Sequence, residues 1–514
     1  MYGHGYDTMC RYLHEITSRV VADSGIASDK YHIGKILLRS LQDAPHYILQ
    51  IDGATDKRDT FKSALERSVR CAAGLSNIGV KYQDVIVVMA PNHIDLCIPF
   101  YASFYLGITV SGMDMNLGVN ELRDSLKITA PKVIFCENSN VKTVQKALNL
   151  LNMSSQVITF GEKNEHIMSF TEFLEKHADD LNIDKFKPAE FDPEVTKGLL
   201  TSTSGTTGLP KYAALTHANI IHGFPTFIVC NTKFPSPFDM TLVVSPIQWI
   251  SALLQIVLSP ILRYTRIQTS SLVTPDHVFT LINKYKPEHT IMSPTFLTTL
   301  FKSNEINKCN FNSFKYILIG GSAVSKEVLN KVKNLTPNAC TQIGYGLTEA
   351  SALVANSVYS PPGSIGVPLK CFEVKIVDLT TNKDISEPNV PGELRLKGRS
   401  VIKEYYNNPE MTAAAFDEDG WLKTGDILYR DEYFNYYFVD RLKSLLKYRS
   451  HQVSPVEIER IIIKYPGVLD VAVTGIPDEE CGELPVAFVI PLDGHNITAQ
   501  EIKDLVEGLV HSSK

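Results

Sequence analysis

Short, continuous apolar runs separated by stretches of helical period constrain this chain more than any other feature. Val85–Ala90, Lys132–Cys136, Gln156–Phe160, Gly198–Thr203, Thr241–Ser245, His289–Met292, Tyr316–Ile319 and Ala339–Ile343 are each four to six residues long. They lack the in-and-out alternation of a half-exposed strand. They therefore predict strands buried on both faces of mainly parallel sheets, with helices between them. In such sheets ligands bind at the carboxyl ends of the strands, so the loops that follow the strands matter most. A helix is predicted from near Asn92. The apolar stretch Leu96–Met113 contains Pro99 and Gly107 and reads as a buried helix, because a membrane span takes about 20 apolar residues.

From about residue 372 the rhythm changes. FEVKIVD, GELRLKG and YFNYYFVD are strand-like with few helices between them, as in an antiparallel, barrel-like unit. After Asp440 comes a mixed pattern of strands and two helices. Their starts are marked by Ser454-Pro455-Val456-Glu457 and by a capping box from Thr498 to Glu501. The predicted fold is α/β. A large domain, residues 1–440, has mainly parallel sheets and a β-rich part from about 372; a small, mobile, incomplete α+β domain follows, residues 441–514.

A chain of 514 residues that is 44% hydrophobic can bury a large core. Its net charge of -6 argues against nucleic acid as a partner. The nine cysteines form no C-x-x-C pair, so a reduced, intracellular setting without zinc is expected. The opening MYGHGYDTMC lacks the order of a signal peptide. A cytoplasmic or peroxisomal location is expected, although no S-K-L tail is visible.

The segment with the most chemical content is Leu200–Lys211, LTSTSGTTGLPK, directly after a predicted strand. Hydroxyls and backbone N–H groups of such a loop can surround phosphate oxygens, and glycine lets the backbone approach closely. Lys211 adds positive charge. Pro210 before it and Tyr212 after it exclude the usual P-loop pattern.

The pattern T-S-G-T-T-G-L-P-K resembles the signature of the adenylate-forming superfamily of acyl-CoA synthetases, 4-coumarate–CoA ligases and insect luciferases. Four more segments resemble that family's signatures, in its order. They are Gly320-Gly321-Ser322-Ala323, Tyr345-Gly346-Leu347-Thr348-Glu349, Gly420 to Asp426, and Val439-Asp440-Arg441-Leu442-Lys443-Ser444. VDRLKSLLKY and DEECGELPVA are close to insect luciferases.

The resemblance implies that ATP and an organic (fatty or aromatic) carboxylic acid form an acyl-adenylate. Coenzyme A then displaces AMP. It implies phosphate contacts from Thr203, Ser204, Gly205, Thr206, Thr207, Gly208, Lys211 and Thr348. It implies Mg²⁺ at Glu349, with Thr348 and Glu349 in catalytic positions. It places adenine at Tyr345 and at the loop of Gly321, Ser322 and Ala323, adds Gly344 and Gly346 to the nucleotide-binding residues, and places the ribose at Asp426 and Arg441. Lys443 matches the hinge. Lys447 matches a lysine facing the site in the thiol-transfer step; the alternative, a solvated strand lysine, is the lesser reading. Gln248, Trp249, Ile250 and Ser251 stand where relatives line the acyl pocket, and Trp249 either gates that pocket or fills space. His217 reads as structural.

Departures from the family pattern are also legible. The chain stops at Val510-His-Ser-Ser-Lys514, before the family's adenylation lysine, and Lys514 does not take that role. Loss of one such donor is expected to slow adenylation by about 10²–10³. Ser450 and Tyr212 stand where glycines are expected. Two alternatives to an acid–thiol ligase are therefore carried: a nucleotide-binding pseudoenzyme with little turnover, and a luciferin-oxidising monooxygenase.

Overall fold

The structure, a computed structural model, describes residues 2–25, 27, 30–161, 167–176, 182–203, 210–228, 230–358, 360–448, 451–478, 482–492 and 494–509. The chain divides into two compact units. One comprises Met1–Tyr359, Leu369–Phe372 and Gly398–Ala414; the other comprises Ser360–Pro368, Glu373–Lys397 and Ala415–Lys514. The expected boundary after Asp440, which sets off a mobile small domain, is a different division and stands as a proposal.

The first unit is built on two sheets. One runs in the order Gln156–Phe160, Val133–Glu137, Val85–Met89, Thr109–Gly112, Lys197–Thr203 and Lys211–Thr216. All neighbours in it are parallel except the last pair. In the other sheet Ile48–Asp52, Thr265–Gln268, Met240–Leu242, His289–Met292, Tyr316–Gly320 and Cys340–Leu347 are parallel neighbours. Antiparallel strands Arg58–Thr60 and Ala352–Asn356 flank them. The expected apolar runs fall on these strands, with an end displaced by three residues where Thr241–Ser245 becomes Met240–Leu242, by four where Ala339–Ile343 becomes Cys340–Leu347, and by no more than one elsewhere.

Strand Val85–Met89 shows why its sequence is apolar throughout. Ile86 and Val88 enter a core that also takes Leu49, Leu318 and the helices Ile33–Asp43, Phe61–Asn77, Cys97–Leu106 and Ile250–Leu262. Val85, Val87 and Met89 enter a second core under Val119–Thr129 and Val141–Leu150. Alternate side chains leave opposite faces of a strand, and here both faces are covered.

The helix expected near Asn92 begins later, at Cys97. Residues 93–96 form turns, with His93 N–H donating to Pro91 O at 2.8 Å and Leu96 N–H to His93 O at 3.2 Å. The Asn92 side chain is engaged elsewhere, donating to Ser245 O at 3.0 Å. At its other end the helix stops at Gly107, φ 66°, whose N–H bonds Ser103 O, a left-handed cap that glycine accepts without steric cost. The apolar stretch to Met113 then continues as strand Thr109–Gly112, so it is a helix and a strand rather than one helix. Among the described residues no helix is long and apolar enough to cross a membrane.

The second unit contains two antiparallel sheets. Glu373–Val377, Gly392–Lys397, Leu422–Arg430 and Tyr436–Arg441 form one, in sequence order. His451–Val453, Leu446–Tyr448, Gly482–Pro491 and Val468–Asp478 form the other. Helices Pro455–Ile462 and Ala499–Leu509 pack with the latter through Ile458, Ile462 and Ile502. The mixed α/β architecture, parallel first and antiparallel later, is the one expected.

The two helix starts differ in detail. Thr498 and Glu501 form the expected reciprocal box, with Glu501 N–H on Thr498 Oγ1 at 3.3 Å and Thr498 N–H on Glu501 Oε2 at 2.8 Å. At the earlier helix the Ser454 hydroxyl donates to Asp440 Oδ2, which also receives Val456 N–H at 3.4 Å. A carboxylate from a preceding strand therefore serves that helix end. The side chain of Glu457 lies outside the described residues.

Candidate functional site

Three loops at the carboxyl ends of strands in the first unit carry the candidate residues. The first joins Lys197–Thr203 to Lys211–Thr216, an antiparallel pair in which Thr203 lies opposite Lys211. The segment between them is thus a hairpin connection whose two ends are held side by side. Ser204, Gly205, Thr206, Thr207 and Gly208 lie outside the described residues. Tyr212, one position past Lys211, leaves the opposite face of the strand. It is 2% exposed and packs among Met113, Leu122 and Leu126. Burial raises its phenol above the ordinary range. The residue that departs from the family's glycine is a core residue.

The second and third loops follow adjacent parallel strands. Gly320 pairs in register with Gly344, and a Cβ on Gly320 would lie 2.6 Å from Gly344 O. Glycine at that point is required by contact. Gly321 follows with φ 95°, a left-handed conformation, and Gly321, Ser322 and Ala323 are exposed at the strand end. Tyr345 is half-buried and pairs with Ala355, with a bulge between it and Gly346. Gly346 is exposed, and a Cβ there would meet Ala352 O at 2.7 Å.

Thr348 and Glu349 open a 3₁₀ turn that ends at Ser351, φ 52°. Glu349 is held at both ends by a later segment, Gly398–Ala414. Its carbonyl accepts Ile402 N–H at 2.8 Å, and its Oε1 accepts the Tyr405 phenol at 2.7 Å. Burial, with the Glu349 charge beside it, drives the Tyr405 phenol far above its ordinary range, so it stays a donor. The same segment continues the edge of the sheet that carries Lys211. Tyr406 N–H donates to Tyr212 O at 2.8 Å, and Ala214 N–H to Glu404 O at 3.2 Å. One short stretch therefore links the hairpin bearing Thr203 and Lys211 to the turn bearing Thr348 and Glu349.

Tyr405 is the positioning residue that sequence reasoning missed. The aromatic pair Tyr405-Tyr406 ahead of Asn-Asn-Pro was visible, but nothing local ties it to Glu349, 56 positions away. A half-buried carboxylate with one oxygen held by a phenol, and no hydrogen bond to the other among the described residues, suits a hard divalent cation, which takes oxygen ligands.

The expected acyl-pocket residues occupy a turn leading into helix Ile250–Leu262. Gln248, Ile250 and Ser251 are half-buried. Trp249, at the N-cap, is 53% exposed, so its ring does not fill a core space. A Cβ on Gly112 would meet Ile247 O at 2.5 Å, so this turn lies hard against the carboxyl end of strand Thr109–Gly112 in the other sheet. His217 is fully buried, its ring 4.8 Å from Phe191 and 5.6 Å from His32, and burial holds it well below the usual imidazole range. It is a packing residue.

In the second unit, Asp426 and Arg441 are register partners on neighbouring antiparallel strands. Arg441 Nε lies 3.3 Å from Asp426 Oδ1; Asp426 is 2% exposed while the Arg441 side chain is 55% exposed. Gly425, φ 68°, turns the backbone just before the carboxylate, and its carbonyl accepts Leu442 N–H at 2.7 Å. Lys443 lies in the exposed turn beyond. Lys447 is on strand Leu446–Tyr448 opposite Gln452; its side chain, like Ser450 and residues 510–514, lies outside the described residues.

Residues 38–406 match the family described as AMP-binding enzyme, and residues 457–512 match the AMP-binding enzyme C-terminal domain. The chain is 34% identical over 482 residues to a luciferin 4-monooxygenase of Photuris pensylvanica, covering 90% of this chain and 85% of that protein. It is 30% identical over 472 residues to 4-coumarate-CoA ligase 1 of Narcissus pseudonarcissus, covering 89% and 84%. Its fold matches the luciferase-like enzyme of the nonluminescent mealworm Zophobas morio with a TM-score of 0.74 and 29% identity, over 80% of this chain and 96% of that one. With the signature loops at the strand ends where such a fold binds its ligands, the chain belongs to the AMP-binding family of adenylate-forming enzymes.

Proposed function

We propose that the chain activates an organic carboxylic acid with ATP and passes the acyl group to the thiol of coenzyme A. A carboxylate oxygen attacks the α-phosphorus, the bond to the β-phosphate oxygen breaks, and pyrophosphate leaves. The thiol sulfur then attacks the acyl carbonyl, loses its proton, and AMP departs. The observation that carries this reading is the single brace that joins the Thr203–Lys211 hairpin to Glu349 through Tyr405 and Tyr406. It supports a set of phosphate donors and one acid kept in fixed relation, which is what an in-line displacement asks of a protein.

In this reading Thr203, Ser204, Thr206, Thr207, Lys211 and Thr348 hold phosphate oxygens. Gly205 and Gly208 let the loop backbone come close to them. Magnesium, when bound, neutralises phosphate charge, and Glu349 would hold it. Gly321, Ser322, Ala323 and Tyr345 take the adenine, with Gly344 and Gly346 also in the nucleotide site, while Asp426 and Arg441 take the ribose hydroxyls. Lys443 serves as the hinge and Lys447 serves the thiol-transfer step. Gln248, Trp249, Ile250 and Ser251 border the acyl group. The buried setting of Tyr212 favours an active enzyme over a nucleotide-binding relic, because that departure from the family pattern is absorbed by the core.

ATP–pyrophosphate exchange across a panel of fatty and aromatic acids tests the proposal. Exchange with at least one acid class, followed by acyl-CoA formation, is the expected result. Thermal stabilisation by ATP and magnesium with no exchange for any acid would replace it with the pseudoenzyme reading, since a ligand that binds only the folded state raises its stability.

A further inference from the structure

Arg266, on strand Thr265–Gln268 of the first unit, is 1% exposed and ranks among the largest fully buried side chains of the protein. A buried guanidinium ordinarily has a carboxylate partner, because removing an unpaired charge from water costs several kcal/mol. Arg266 has no ion pair with any described residue. Its Nη2 donates to the neutral Gln50 Oε1 at 2.7 Å, and its buried Nε has no hydrogen-bond partner. The nearest acid in its network, Asp59, is reached only through Gln50 Nε2, at 2.9 Å, and Asp59 is already paired with Arg67 at 2.5 Å.

Beside Arg266 is an internal cavity of about 10 Å³, room for one water-sized species. Its polar lining is Asn92, Cys97, Gln255, Arg266 and Gln268, and the rest is aliphatic. Of these, Arg266 Nε has no acceptor, and Gln255 keeps a donor. Gln255 Oε1 accepts the Tyr264 hydroxyl at 2.7 Å, which leaves its amide nitrogen to donate. Gln268 Nε2 already donates to Gln50 Oε1 at 3.1 Å and His93 O at 3.0 Å, so it orients the Gln50 carbonyl toward Arg266. A full positive charge, an orphaned N–H and the Gln255 amide among the residues lining a cavity of this size fit a small monovalent anion better than water, which would leave the charge uncompensated.

We propose that this cavity is an anion site, occupied by a halide-sized ion that serves as the counter-charge of Arg266 within the core of the first unit. The site is separate from the nucleotide loops, and the proposal does not depend on the adenylation reading. It makes the stability of the protein depend on the identity of the anion in solution, apart from ionic strength.

Crystals of the full chain grown or soaked in sodium bromide test it. An anomalous peak within hydrogen-bonding reach of Arg266 is expected; a site refining as water in bromide overturns the proposal. In solution, replacing isethionate by chloride or bromide at constant ionic strength should raise Tm by about 2 °C or more. Arg266→Met should abolish that dependence. Equal anion responses in the two proteins would overturn the proposal, as would a wild-type Tm that ignores the anion. Should Arg266→Met fail to fold, the bromide diffraction on the wild-type chain decides alone.

Discussion

The phenol of Tyr405 donates to Oε1 of Glu349 at 2.7 Å, and the two residues come from segments 56 positions apart. This bond fixes one oxygen of the Glu349 carboxylate. Tyr405→Phe is expected to lower pyrophosphate exchange by roughly 10-fold and to raise the magnesium concentration giving half-maximal rate, as loss of a residue that orients a metal ligand does. Titrating magnesium in both proteins checks it. A lower rate with unchanged magnesium dependence would mean that the tyrosine acts only on packing.

Gly320 is bounded by backbone. Because a Cβ there would lie 2.6 Å from Gly344 O, Gly320→Ala must push its strand away from the neighbouring one at the nucleotide loops. The expected cost is about 1–3 kcal/mol, seen as a lower thermal midpoint, together with a weaker stabilisation by ATP. An unchanged midpoint would show that the strands already stand further from each other.

Tyr212 offers a test in the opposite direction. Restoring the family's residue, Tyr212→Gly, should destabilise by about 3–5 kcal/mol because the ring is core, while Tyr212→Phe should keep both fold and exchange activity. Improved activity in the glycine variant with no loss of stability would place the ring in the loop.

Asp426→Asn removes the charge that pairs with Arg441 on the next strand. Calorimetry with AMP is expected to show affinity reduced by about 10-fold or more, because a hydrogen bond to an ionised acceptor contributes roughly 1.5–3 kcal/mol. Unchanged AMP affinity would remove Asp426 from the ribose assignment.

The buried histidines make the first unit sensitive to acid. Burial lowers His289 to about 3, from an unfolded value near 6.5. Above pH 6.5 both states are neutral and the contribution to stability is complete. Below it the unfolded chain takes up a proton that the folded one refuses, so stability falls toward pH 3 by about 1.4 kcal/mol per pH unit. His32, also pushed down to about 3 by burial, and His217 act in the same sense. His289→Gln can keep the bond to Thr241 Oγ1, 2.8 Å in the wild type, without titrating. Urea midpoints at pH 7.5, 6 and 5 should therefore fall less steeply in the variant.

Much of this was written in local pattern. Continuous apolar runs such as Val85–Met89 specify strands covered on both faces, and hydroxyl–glycine loops after them mark the strand ends where phosphate can be held. Such features depend on residues close in sequence, so the sequence alone determined the α/β class, the signature loops and the family. Tertiary structure decided what depends on distant segments meeting. It put Tyr405 on Glu349, turned Tyr212 into the core, gave the cap of helix Pro455–Ile462 to Asp440, and left Arg266 buried without an acid. The physical reason is range: periodicity and turn chemistry act over a few residues, whereas a hydrogen bond or a counter-charge acts between whichever side chains the sheets bring within about 3 Å.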